Sequence, residues 1–213
     1  MKRALWIGML AVSIAGCGGK DETAATVAGT KISTHRVERV LEHAREEFER
    51  EGKRFPAEGT AEYRQLANQA LALLVYREEL EQSARRLGIA VDDEEVAQRL
   101  RTRESQQGEE EEREGAEDEE LRADAIRSSL LYRRIYERIT RGLRVSPAQV
   151  ARYYRRYRDL FASQGRTFAD ARAEIEHDLL AAAANARMAR WVEAMRRSFA
   201  SKIVYGEGFS PPE

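Results

Sequence analysis

Apolar residues return every three or four positions through most of this chain, the spacing of one face of an α-helix. Val37, Val40, Leu41, Ala44 and Phe48 open the series behind Thr34, a residue type that caps helices. Residues 52–59, with glycine at both ends and Pro56 between, interrupt it. Thr60 then caps a longer helix whose apolar face is Tyr63, Leu66, Ala70, Leu73, Leu74, Leu80, Ala84 and Leu87, and Gly88 stops it. Ile89-Ala90-Val91 is an extended link. Asp92 leads a third helix, with Glu95 at the third position of an Asp-led capping box, and Val96 and Leu100 facing inward. Leu121, Ala125, Ile126, Leu130, Leu131, Ile135 and Ile139 predict a fourth helix, ended by Gly142. Ser146-Pro147-Ala148-Gln149 is a strong helix start, and Val150, Tyr153, Tyr154, Tyr157 and Phe161 line the fifth helix that follows. Beyond a short polar loop, Thr167 to Asp170 begins a last helix that runs to about Phe199. At 1.5 Å per residue it extends about 45–50 Å, so other helices must wrap around it. The alanines at 181–184 let a neighbour approach closely.

The two ends of this helical series have a different pattern. "VAGTKIS", 27–33, predicts a short strand with a glycine-centred turn, and "KIVY", 202–205, a second strand. Isolated strands are not stable, so the two are expected to pair. The fold class is therefore all-α, mainly helical: long helices wrapped into one module over 27–205, closed by paired terminal strands, with a tail at 206–213.

The first sixteen residues stand apart. Lys2 and Arg3 precede an uncharged apolar run, the layout of a secretory leader and too short to span a bilayer. The run ends Ile14-Ala15-Gly16-Cys17, which resembles a bacterial lipobox: an aliphatic residue, two small ones, then cysteine. The resemblance implies cleavage between Gly16 and Cys17, lipid on the Cys17 sulfur, and a membrane partner reached through that anchor. The alternative is an ordinary leader with an incidental cysteine. Residues 17–26 then form a lipidated tether. The expected location is the cell envelope, on the outer membrane facing the periplasm, or on the outer face of the plasma membrane in a cell with one membrane. Cys17 is the single cysteine, so no internal disulfide forms and stability comes from packing.

Charge changes the picture in one region. The chain carries 36 basic and 37 acidic residues, a net charge of −1 that conceals a strong asymmetry. "ESQQGEEEEREGAEDEE", 104–120, is an acidic low-complexity insert without apolar periodicity, expected to be a solvated helix extension or a loop. The next forty residues are rich in arginine. An exported lipoprotein has little access to nucleic acid, so the basic stretch is expected to be a solvated helix face, partly neutralised by the acidic run. His35, His43 and His177 lack metal-binding spacing, and the acidic run lacks the alternating ligands of a calcium loop. No nucleophile elbow or phosphate loop is present, so no catalytic residues, metal or cofactor are expected.

In order, these elements resemble the non-catalytic module of SurA-like and PrsA-like exported foldases. "LGIAVDDEEV" is the most specific local match, supported by "RGLRVSPAQVARYYRRYRDLF" with its paired tyrosines and by the returning helix and strand "TFADARAEIEHDLLAAAANARMARWVEAMRRSFASKIVY". The resemblance implies a chaperone that binds unfolded exported or outer-membrane polypeptides. Full-length family members carry a parvulin prolyl isomerase domain between the tyrosine helix and the last helix. Here residues 162–167 alone occupy that place, so no enzyme is expected. Tyr153, Tyr154, Tyr157, Phe161 and Trp191 are the candidate client-binding residues, set against the plainer reading that they pack the core. The competing function is a structural or adaptor lipoprotein that holds one envelope partner.

Overall fold

The computed structural model describes residues 22–107 and 116–211. The leader, Gly16 and Cys17, and the centre of the acidic insert lie outside the described residues. The order of elements is β1 (Thr23–Val27), β2 (Thr30–Ser33), α1 (Thr34–Arg50), α2 (Ala61–Arg86), α3 (Asp93–Gln107), α4 (Ala116–Thr140), α5 (Pro147–Arg156), α6 (Arg158–Ser163), α7 (Phe168–Phe199), a 3-10 turn (Ala200–Lys202) and β3 (Ile203–Tyr205). The fold is mainly helical, and its termini meet in a small antiparallel sheet of order β2-β1-β3.

The terminal strands pair as expected, but the central strand lies earlier than 27–33. β1 begins at Thr23, inside the stretch assigned to the tether. Residues 27–33 instead supply the last residue of β1, a two-residue turn and β2. Ala28 (φ 45°) and Gly29 (φ 97°) both occupy the left-handed region that such a hairpin turn requires. Register shifts between Thr23 and Ala25, and this irregularity accompanies burial of both Ala24 and Ala25. β3 joins the other edge with Ala25 opposite Tyr205 and Val27 opposite Ile203. The closure continues past the strand. The Gly206 amide donates to the Ala24 carbonyl at 2.8 Å, and Ser210 and Asn68 exchange two hydrogen bonds. The start of the tail at 206–213 is thus docked on the body of the protein.

Cap chemistry set most helix starts. Thr60 accepts from the Tyr63 amide, Ser146 and Gln149 form a full capping box, and Thr167 and Asp170 form another. The first helix is capped one residue earlier than expected: Ser33, not Thr34, accepts from the Arg36 amide. Asp92 accepts from the Glu95 amide at 2.7 Å, but the Glu95 side chain turns to Arg134 of α4 instead of closing the box. Ion pairing across helices outweighs the local bond there. The predicted fifth helix is two helices. The chain breaks at Tyr157, whose φ of −110° and ψ of 25° leave the α region, and α6 then restarts.

α7 serves two cores. Its C-terminal half contributes Met188, Met195 and Phe199 to the main core, with α1, α2, α4 and the sheet. Phe199 is fully buried, with the Arg86 guanidinium 4.7 Å from its ring centre. The N-terminal half contributes Ala171 and Ile175 to a separate small core with Val150 and Phe161. So α5, α6 and the first half of α7 make a lobe of their own. The long helix is wrapped by different partners along its length.

The arginine-rich region is not simply a solvated face. Arg127 and Arg134 of α4 pair with Asp93 and Glu95 of α3. Acids from the far side of the insert pair in turn with α1: Glu120 with Arg39, and Asp124 with Arg36 at 2.9 Å. The Arg39 hydrogen bond holds the Glu120 carboxyl below its usual range. Both edges of the acidic insert are helical.

Candidate functional site: an aromatic lobe and a charged cleft

The lobe separates the candidate aromatics into interior and rim. Tyr154 is the interior hub: its ring stacks on Phe161 at 5.1 Å between centres and meets Phe168 edge-on at 5.2 Å. Its hydroxyl donates to the Arg166 carbonyl at 3.2 Å, tying α5 to the connection before α7. Phe161 is buried, so it fills the lobe and does not wall an open crevice. Tyr153 packs half-buried against the same core, with its ring 4.7 Å from that of Tyr157.

The break at Tyr157 has a consequence for the surface. It turns α6 so that Phe161 points inward while Tyr157 (39% exposed) and Leu160 (56%) remain open to solvent. Phe168, at the start of α7, is 37% exposed on the same lobe. Arg156 lies 5.7 Å from the Tyr157 ring, so charge borders the apolar rim. Leu160 and Phe168 were missed by sequence reasoning. Leu160 lies off the tyrosine stripe, and its exposure depends on a helix break that the stripe conceals.

Trp191 does not join this group. It lies 23 residues beyond Phe168 on α7, about 35 Å along the helix, and packs half-buried against the main core.

A second feature lies between α1, α2 and α4: a cleft of about 390 Å3 lined by both charged and aliphatic side chains. Arg77 of α2 reaches this cleft. Burial lowers the basicity of its guanidinium, and the nearby Asp124 opposes that effect. Among the described residues, no group of three metal-ligating side chains occurs and no helix is long and apolar enough to cross a membrane.

The SurA-like N-terminal domain family matches residues 2–113, just over half of the chain. The protein belongs to that family. The match runs through α1, α2 and α3, and the family comparison finds no parvulin domain. In this SurA-like module α6 connects to α7 through residues 164–167 alone, the place where the resemblance sets the isomerase of longer relatives. No curated protein and no solved structure matches the chain. The matched module is of a chaperone type.

Proposed function

We propose that this SurA-like module holds unfolded exported polypeptides at the cell envelope, anchored through lipid on Cys17, and that it does not isomerise proline. The observation that carries the reading is the exposure of three large apolar side chains, Tyr157, Leu160 and Phe168, on one small lobe of a chaperone-family chain. Aromatic and aliphatic groups bordered by arginine suit extended apolar segments, which bury side chains there without a unique sequence. Binding is expected to be weak and permissive, because ordering a flexible client costs conformational entropy at each fixed residue. The four-residue connection before α7 leaves no room for an inserted isomerase domain.

The test uses the purified chain with an unfolded outer-membrane protein. Aggregation, followed by light scattering, should slow with wild type and slow less with Leu160→Asp. A proline-limited refolding reaction should keep its uncatalysed rate, a matter of tens of seconds or more. Acceleration of that reaction would remove the no-isomerase claim. Tight capture of one folded partner, with no effect on unfolded chains, would make the protein an adaptor instead.

A further inference from the structure

The charged cleft contains an imbalance of partners. Four arginines and four carboxylates line it, yet the carboxylates are already engaged. Asp124 holds Arg36 at 2.9 Å on one oxygen and faces Arg127 at 3.7 Å with the other. Asp93 also holds Arg127, and Glu78 and Glu81 share Arg85. Glu78 further accepts from Gln82 at 2.9 Å. Arg77 is left over: its Nη1 is buried, with no hydrogen-bond acceptor among the described residues. A buried donor without an acceptor costs free energy, and a guanidinium stays charged and cannot relieve the cost by losing its proton.

The surroundings narrow the kind of acceptor. A guanidinium presents a planar fork that matches a carboxylate. A phosphate would bring more negative charge beside four carboxylates, so a singly charged group is favoured. Leu74, Ile89, Val91 and Leu131 also line the cleft, so the ligand must carry aliphatic surface next to its charge. We propose that Arg77 receives a carboxylate of a bound polypeptide, with aliphatic side chains of the same segment against the partly exposed Ile89 and Val91. The identity of the ligand as polypeptide rests on the holding function above. The site gives an otherwise permissive module a preference for segments in which an acidic group sits beside aliphatic residues.

The experiment measures fluorescence anisotropy of labelled peptides on the full chain. One amidated peptide carries Glu between leucines, a second carries Gln in its place, and a third has its C-terminus as its only carboxylate. Wild type should bind the Glu peptide about tenfold more tightly than the Gln peptide, the scale of one charge-assisted hydrogen-bonded contact. Arg77→Gln should abolish that preference. Arg77→Lys, which keeps charge without the fork, should reduce it and serves if Arg77→Gln does not fold. Preference for the third peptide over the Glu peptide assigns the site to a chain end, and the reverse assigns it to a side chain; either supports the carboxylate site. A Gln peptide that binds as tightly as both carboxylate-bearing peptides overturns the proposal, and so does a carboxylate preference that survives in both Arg77 variants. These results are separable from the holding function. Suppressed aggregation without a preference for either carboxylate-bearing peptide removes only the Arg77 site. An Arg77-dependent Glu preference without suppressed aggregation removes only the holding function.

Discussion

Gly206 tests whether the ends of the chain lock each other. A Cβ at that position would lie 2.1 Å from the Thr23 carbonyl oxygen, and 3.2 and 3.3 Å from two further backbone atoms of β1. None of these is the end of a flexible side chain, so Gly206→Ala must push β3 and β1 apart by about 1 Å. Two hydrogen bonds flank the β1–β3 ladder, Gly206 to Ala24 and Ala28 to Lys202, both 2.8 Å. Losing both removes about 1 kcal/mol each, and residual strain adds to that, for a total of about 2–3 kcal/mol. In a domain of this size that lowers the melting temperature by about 4–12 °C. Thermal unfolding by circular dichroism gives the shift, and amide exchange locates it: protection should fall together in 23–27 and 203–205. Val204→Ala, at a position 67% exposed on the same strand, is the control and should change little. A Gly206→Ala protein with unchanged melting temperature and unchanged exchange in 23–27 would show that the closure carries no weight.

Phe199→Ala empties the most enclosed aromatic site of the main core and should cost about 3–5 kcal/mol, read from denaturant unfolding. Burial raises the pKa of Glu79, with Arg196 acting the other way. The folded state therefore binds the proton more tightly than the unfolded one, and stability falls as pH rises from the ordinary glutamate value through the raised one. Glu79→Gln should remove that fall, raising the melting temperature more at pH 7 than at pH 4; an equal change at both would refute the assignment. Cys17→Ala should lose acyl labelling and processing at that site, and equal labelling of variant and wild type would end the lipoprotein reading.

The helices were legible because their signals are local. Thr60, Ser146 and Thr167 act within one turn, and apolar spacing reported faces such as Ala70-Leu74 and Leu131-Ile135 that the core buries, although Leu73, read on the same face of α2, is exposed and the fully buried Leu71 was not read there. β1 was not legible. "TAATV" has weak strand character, and the irregularity that buries Ala24 beside Ala25 erases the alternation by which strands are recognised. The break at Tyr157 was hidden because the aromatic spacing runs through it unbroken. Its cause is tertiary: Tyr154, Phe161 and Phe168 close on one another only once α6 turns. The cleft left one trace in the sequence. Arg77 sits midway between Leu74 and Leu80, three residues from each, which places a cation on the inward face of α2. Its missing acceptor depends on how α1 and α4 spend the neighbouring carboxylates, and no helical pattern records that.

The holding function is most directly tested by photo-crosslinking to an unfolded outer-membrane protein from two exposed apolar positions, Leu160 on the lobe and Val204 on the terminal sheet. Each is replaced singly by a photoreactive amino acid, and both variants should keep the wild-type melting temperature. Strong crosslinks are expected from position 160, competed by excess unlabelled unfolded chain, and background from position 204. Equal crosslinking from both positions, or crosslinking from 204 alone, would contradict the holding function.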